Sequence, residues 1–187
     1  MELQSVWTVI EGLFSDLSAF ARLAAGLSPE QYRSKLFDCF DYPLGLFWLG
    51  IPKVQISVLE EAFAALFLLY LHHQEEWIYT ESARTTSEQF VIDRPPEGEW
   101  ARLLQDIWIP QVFGLSRRRP RVTPADGFPQ SLLRWMPETA GGEERAALED
   151  ILRSTRWVCS LFPGDFYDLY FGQTEKYYFL AESGVYD

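Results

Sequence analysis

The sequence has few of the residues that build common catalytic centres and cross-links. Only two of its 187 residues are histidine and two are cysteine. It contains no phosphate-binding loop, dinucleotide-binding glycine motif, zinc-protease helix motif or nucleophile elbow. Its apolar runs are shorter than the ~18 residues that a membrane-spanning helix needs. These absences argue against the enzyme classes that such motifs define and against a membrane span.

Basic residues are also scarce, with 16 lysines and arginines against 27 acids and a net charge of −11. This balance makes general nucleic-acid binding unlikely to be the function, because the phosphate backbone would be repelled, and it favours a more basic protein partner. Cys39 and Cys159 lie in apolar patterns, so we expect them to be reduced and buried, although the sequence leaves a disulfide open. No basic, apolar signal segment is visible, which predicts a cytoplasmic protein.

Aromatic residues, by contrast, are abundant at 16% of the chain, and 48% of all residues are hydrophobic. Such a composition is typical of a folded protein with a full core. The length predicts a single globular domain over residues 1–187. A proline-rich segment at about 110–142 is expected to be irregular, with at most one or two helical turns around Gln130 to Trp135.

Helical spacing of apolar residues dominates the pattern. It predicts a long helix over 2–25, a buried central helix over 57–79 and a third helix over 143–162, with a further helix that begins at Ser28 and stops before Pro43. The run LGLFWLGI at 44–51 is predicted to be a short strand or a buried loop, because two prolines flank it and two glycines interrupt it. A short strand over 89–93 and a short helix over 99–108 are also predicted.

The best hairpin signal lies near the C-terminus, where aromatic-rich runs at 166–171 and 176–181 are joined by 172–175. The predicted fold is therefore mainly α within the α+β class. We expect a compact helical domain with three substantial helices and a small C-terminal β-hairpin.

This hairpin mixes tyrosines with acids, a combination suited to protein binding because tyrosine offers a large contact area at little entropic cost. The alternative is a hairpin with one face packed on the helices, and both can hold because a hairpin has two faces. The predicted partner-binding residues are Asp165, Tyr167, Asp168, Tyr170, Glu175, Tyr177, Glu182 and Tyr186.

A basic island interrupts the acidic chain. Arg117, Arg118, Arg119 and Arg121 could bind an anionic ligand or partner, since arginine makes bidentate contacts with phosphate and carboxylate. The alternative is that these arginines pair with the acidic segments of the same chain or are simply solvated.

The only cluster of titratable groups at a useful helical spacing is His72, His73 and Glu76. Imidazole and carboxylate one turn apart could hold a metal such as zinc or act as a base and its orienting group. The alternative is that these residues form the polar edge of the central helix.

Together these observations predict a non-enzymatic cytosolic protein-binding module without a cofactor. The expected type is a bacterial inhibitor or immunity protein that neutralises a basic partner through an acidic, aromatic surface. One alternative is a metal-dependent or acid/base enzyme that uses the histidine cluster. Another is a subunit of a larger assembly that contacts an anionic partner through the arginine run.

Overall fold

The computed structural model describes residues 3–16, 19, 22–23, 26–27, 31–73, 121–163 and 167–185. The elements in chain order are α1 (Leu3–Ser15), β1 (Lys35–Asp41), β2 (Leu44–Pro52), α2 (Leu59–His73), β3 (Arg121–Pro124), α3 (Phe128–Leu133), α4 (Gly142–Leu152), β4 (Trp157–Pro163), β5 (Tyr167–Gln173) and β6 (Tyr177–Val185). Among these described residues, no helix has the length and apolar character needed to cross a membrane.

One six-stranded antiparallel sheet organises the described chain, in the order β1-β2-β6-β5-β4-β3. The prediction of a mainly α, helical domain with a small hairpin is therefore wrong. The two runs predicted to form the hairpin are β5 and β6, and they do pair antiparallel. They are not an appendage, however, because β6 also pairs along its whole length with β2 and both strands lie inside the sheet.

Helices cover both faces of the sheet, which gives three layers. On one face, α1 and α2 pack on side chains of β2, β4, β5 and β6 in one hydrophobic cluster that includes Phe47, Phe171 and Leu180. On the other face, α3 and α4 pack on a second cluster that includes Trp48 and Phe179. Because successive side chains of a strand point to opposite faces, β2, β4, β5 and β6 each contribute to both clusters.

The helix predicted from Ser57 is α2, and its apolar sequence follows from its position. Ala62, Phe63, Leu66 and Phe67 are almost completely buried, and Phe63 meets the edge of Phe171 in β5 at 4.7 Å between ring centroids. The helix contacts β2 and β6 on one side and α1 on another. A helix enclosed in this way is apolar around its whole circumference.

β2 resolves the open prediction for LGLFWLGI in favour of a strand. All its residues from Gly45 to Ile51 are buried, as expected for a strand covered on both faces. Gly50 is required by the packing, because a Cβ atom there would lie 2.3 Å from Cη2 of Trp48. The Trp48 ring therefore fills the space that a side chain at this position would occupy.

The prediction of a helix that begins at Ser28 and stops before Pro43 is wrong for residues 35–41, which form β1. The residues alternate, with Phe37 and Cys39 buried and Leu36, Asp38 and Phe40 exposed. Pairing with β2 along seven residue pairs, from Lys35↔Gly50 to Asp41↔Leu44, decides the conformation of this segment. Tertiary context overrides a helical spacing that rests on few residues.

The helix predicted over 143–162 is correct only in its first half. α4 ends at Leu152, where the hydroxyls of Ser154 and Thr155 donate hydrogen bonds to the carbonyls of Ile151 and Leu152. Side-chain hydroxyls that bond to nearby carbonyls compete with continued helix formation. The chain then enters β4, whose Trp157, Val158 and Cys159 include aromatic and β-branched side chains that favour a strand.

One further prediction is met in part, and two concern residues that the structure does not describe. Within the proline-rich segment, the structure contains β3 and the short helix α3, near the helical turn expected around Gln130 to Trp135. The strand predicted over 89–93 and the helix predicted over 99–108 lie outside the described residues.

Candidate functional site

β1 forms one edge of the sheet and presents a row of exposed side chains. Three large apolar or aromatic side chains are exposed there: Leu36 by 38%, Phe40 by 59% and Tyr42, in the turn after β1, by 68%. Asp38 lies between Leu36 and Phe40 on the same face, and Asp41 is also exposed. We call the side chains of Leu36, Asp38, Phe40, Asp41 and Tyr42 the β1 edge surface.

Among the described residues, the helical layer of α1 and α2 buries β2 but leaves this surface at the edge of the sheet exposed. Leu36 and Asp38 lie directly opposite Leu49 and Phe47 of β2, so they share the sheet face that α1 and α2 cover. Leu49 and Phe47 are buried by that layer, whereas their β1 partners are not. On the opposite face, Phe37 is buried with Trp48, and this contact anchors the strand.

The charge of the β1 edge surface is negative. Burial is the largest cause that raises the pKa of the Cys39 thiol. The negative charge of Glu144, near the start of α4, raises it further, and so does the charge of Asp38. The hydroxyl of Thr139 donates a 3.1 Å hydrogen bond to Oδ2 of Asp41. Lys35, the cation at the start of β1, lies over the ring of Phe37 at 5.0 Å.

The edge strand also offers backbone groups. In an antiparallel sheet, every second residue of an edge strand directs its N–H and C=O away from the neighbouring strand. β1 pairs with β2 on one side, and no other strand among the described residues pairs with it. The β1 edge surface therefore combines hydrogen-bonding backbone, aromatic area and carboxylates.

The hairpin residues predicted to bind a partner do not share one surface. Asp168 and Tyr170 in β5 are half-buried on the face covered by α3 and α4. Glu182 in β6 is on the opposite face and only 7% exposed. Tyr177 is half-buried against Trp48, and Glu175 is exposed in the turn between β5 and β6. The side chain of Tyr167, and residues 165 and 186, lie outside the described part of the chain.

Asp168 and Tyr170 form a polar pair beside α3. Burial raises the pKa of Asp168, while a hydrogen bond with Tyr170 and the positive charge of Arg134 lower it. Burial, and then the charge of Asp168, raise the pKa of Tyr170. The Tyr170 ring also meets the edge of Phe128 at 5.1 Å, so this pair helps to fix α3 on the sheet.

Glu182 is a buried carboxylate on the side of α2. It lies between Phe47 of β2 and Leu169 of β5, and the hydroxyl of Tyr70 donates a hydrogen bond to its Oε2. A buried carboxylate is stable only with such partners, because removing it from water is costly. The sequence analysis placed Glu182 on a binding surface because tyrosines and acids alternate there; the burial of β6 on both faces was not visible in that pattern.

The two other predicted sites fall mostly outside the described residues. His72 and His73 end α2, and neither their side chains nor residue 76 is described. Among the described residues, no group of three histidines, cysteines or acids could hold a metal ion. Residues 117–119 are likewise outside, and Arg121 is described only as the first residue of β3.

Both cysteines are buried and free. Cys39 belongs to the cluster beneath α3 and α4, whereas Cys159 belongs to the cluster beneath α1 and α2. They lie on opposite faces of the sheet and in strands separated by three others, which excludes the disulfide that the sequence left open.

Comparison with known proteins finds no match to a family model, to a curated protein or to a solved structure.

The β1 edge surface was not among the sites predicted from the sequence. The available signal was the alternation in KLFDCFD, where Phe37 and Cys39 on one side and Leu36, Asp38 and Phe40 on the other fit a half-buried strand. An apolar spacing of three and four residues through Tyr32, Leu36, Cys39 and Phe40 obscured it.

Proposed function

We propose that the protein is a non-enzymatic binding module that recognises a basic protein partner through the β1 edge surface. The observation that carries the proposal is the exposure of Leu36, Phe40 and Tyr42 beside the carboxylates of Asp38 and Asp41. A few residues, among which tyrosine, tryptophan and arginine are enriched, carry most of the energy in protein interfaces, and surrounding charges select the partner and speed association.

Several properties of the chain support recognition of a basic partner. The whole chain carries a net charge of −11, which attracts a basic partner over long distances. Glu143 and Glu144 at the start of α4 are exposed, and Glu144 acts electrostatically at Cys39 of β1, so the carboxylates near this edge come from two elements. The free, buried cysteines are compatible with a reducing compartment, and a cytoplasmic location belongs to the same proposal.

The first experiment is capture of partners by the immobilised full chain from a lysate of the native host. We expect a basic protein to be retained by the wild type and lost by the double variant Asp38→Lys, Phe40→Ser. Asp126→Lys is the matched control, because Asp126 is exposed in the turn that follows β3, at the opposite edge of the sheet. Retention of the same protein by the double variant, or its loss by the control, would contradict the proposal.

The second experiment measures the association rate with the captured protein at several salt concentrations. Because the attraction is between opposite surface charges, the rate should fall steeply as salt increases. A rate that does not depend on salt would refute electrostatic recognition. The narrower proposal of an inhibitor or immunity protein adds that binding suppresses the partner's own activity.

A second candidate function is an acid/base or metal-dependent enzyme, and the buried Glu182–Tyr70 pair favours it. Tyr70 precedes His72 and His73 in the last turn of α2, so the pair lies at the same end of the helix as the predicted cluster. Metal analysis of protein purified without a tag, repeated for His73→Ala, tests this candidate. Equal, negligible metal content in both proteins would remove the metal-dependent form.

The third candidate, assembly through Arg117, Arg118, Arg119 and Arg121, rests on the sequence alone. Replacement of all four arginines by glutamate should abolish assembly if they contact an anionic partner. An unchanged assembly would refute it.

A further inference from the structure

We propose that the partner contributes an extended segment that pairs with β1 as a seventh strand, with an apolar residue, a basic residue and an apolar residue at alternate positions. This inference rests on the proposed function and specifies how the β1 edge surface would recognise its partner. The segment is basic because the side chain at the centre of the open face, Asp38, is acidic.

The spacing follows from strand geometry. Residues two apart on a strand point to the same face and lie about 6.6 Å apart along it. Leu36, Asp38 and Phe40 thus form an apolar–acidic–apolar row on the open face of β1. A strand added at this edge places its own alternate residues directly beside them, with Cβ atoms roughly 4.5–5.5 Å away.

The best complement is therefore an apolar or aromatic residue beside Leu36, a lysine or arginine beside Asp38 and another apolar residue beside Phe40. The row reads the same in both directions, since its two ends are apolar and its centre is acidic. Parallel and antiparallel addition thus require the same pattern, apolar-x-basic-x-apolar. The main chain supplies the hydrogen bonds, and the row supplies the specificity, as in strand addition generally.

A second copy of the chain is the less suitable occupant of this edge. If two β1 strands paired antiparallel over their full row, Leu36 would face Phe40, but Asp38 would face Asp38. Like charges directly opposite each other destabilise a strand pair. Charged side chains on edge strands commonly prevent such self-pairing, so the row favours a basic strand over its own copy.

Selection from a library of random twelve-residue peptides on the immobilised full chain tests the inference. We expect enrichment of the apolar-x-basic-x-apolar pattern on the wild type and on Asp126→Lys. On Asp38→Lys, the central residue of the selected peptides should change to aspartate or glutamate. No enrichment, a different spacing, or a central residue that does not change with Asp38→Lys would overturn strand addition.

Hydrogen exchange of the full chain then tests the backbone pairing. With a selected peptide at about 100 times its Kd, the outward-facing amides of β1, at every second residue, should exchange up to about a hundredfold more slowly. A version of the peptide N-methylated along one edge should bind at least about tenfold more weakly than the same peptide methylated along the other. Slowed exchange elsewhere only, or equal binding of the two methylated peptides, would overturn the inference.

These results can be separated from a failure of the proposed function. If peptides fail but a basic protein is still captured through the β1 edge surface, recognition of a basic partner stands and strand addition is wrong. If peptides bind as expected but the captured protein is retained by the β1 double variant, that protein binds elsewhere and the proposed function is wrong.

Discussion

The replacement Gly50→Ala probes the packing of the sheet against α3 and α4. A Cβ atom at residue 50 would lie 2.3, 2.8 and 3.0 Å from three carbon atoms of the Trp48 ring. Nonbonded carbons are most stable at roughly 3.5–4.0 Å. The ring or the strand must therefore move by about 1 Å to accept one methyl group.

The Trp48 ring has little freedom to move. It is completely buried, stacks on Phe179 at 5.7 Å, and makes edge contacts with Tyr177 at 5.7 Å and Phe37 at 5.8 Å between centroids. Overpacking of a dense core costs about 1–3 kcal/mol. The reduced freedom of alanine in the unfolded chain returns about 0.4–1 kcal/mol. The middle of these two ranges predicts that Gly50→Ala lowers the free energy of unfolding by roughly 1.3 kcal/mol.

Urea unfolding followed by far-ultraviolet circular dichroism measures this change. The matched control is Gly12→Ala in α1, where a Cβ atom would meet nothing within 4 Å. Because glycine in a helix interior is less stable than alanine by roughly 0.5–1 kcal/mol, the control should raise the free energy of unfolding. The two replacements make the same chemical change, yet we expect Gly50→Ala to lower the free energy of unfolding and Gly12→Ala to raise it.

A double-mutant cycle identifies the cause. Phenylalanine at residue 48 does not reach as far as tryptophan, so Gly50→Ala should cost less in the Trp48→Phe background, with a coupling of about 0.5–3 kcal/mol. A steric conflict between residue 50 and the Trp48 ring would be refuted if Gly50→Ala were as stable as the wild type. It would also be refuted if Gly50→Ala lowered the free energy of unfolding equally in both backgrounds.

Further predictions concern buried polar groups, the thiols and the sheet edge. Tyr70→Phe removes a hydrogen bond to the buried Glu182 and should lower the free energy of unfolding by about 1.5–3 kcal/mol in urea titrations; no loss would refute the role of that bond. Burial raises the pKa of Cys159 from 9.0 to about 12. Its neutral thiol therefore stabilises the fold below pH 9, and this contribution is lost as pH rises from 9 to 12. The pH dependence of unfolding over that range should be weaker in Cys159→Ala, by up to about 1.4 kcal/mol per pH unit; an identical slope would count against the shift. A thiol assay without reductant should find Cys39 and Cys159 unreactive in the folded chain and both reactive after denaturation, whereas a lower count would indicate a disulfide. Finally, Asp38→Leu should increase self-association in sedimentation velocity, because an apolar row then replaces the charged edge; unchanged sedimentation would show that Asp38 does not prevent pairing.

The sequence predicts some elements well because their surroundings match their local pattern. α1 has an apolar face at helical spacing, and α2 is apolar throughout because the sheet and α1 enclose it. β5 and β6 were also predictable as a pair, since aromatic-rich runs flank a short turn. What local pattern could not reveal is that β6 pairs with β2, which is more than one hundred residues away along the chain.

The elements that were predicted incorrectly depend on such distant partners. β1 is a strand because β2 pairs with it, and β4 is a strand because β3 and β5 flank it. Strands buried on both faces lose the clear alternation of polar and apolar residues, so β2 resembles a short buried segment of any kind. The mainly helical prediction follows from this ambiguity.

Because the predicted hairpin lies inside the sheet, its acids and tyrosines do not form the binding surface that the composition suggests. An excess of acids and aromatics predicts a partner's chemistry but does not locate the partner, because Glu182 and Tyr170 have structural contacts inside the fold. The exposed side chains at β1 are the basis of the proposed partner site, and under that proposal the carboxylate of Asp38 has two physical effects. Asp38 disfavours pairing with a second copy and favours pairing with a basic strand. Since both effects depend on one charge, loss of that charge should increase self-association while it weakens partner binding, and a purely solubilising role for Asp38 would produce only the first.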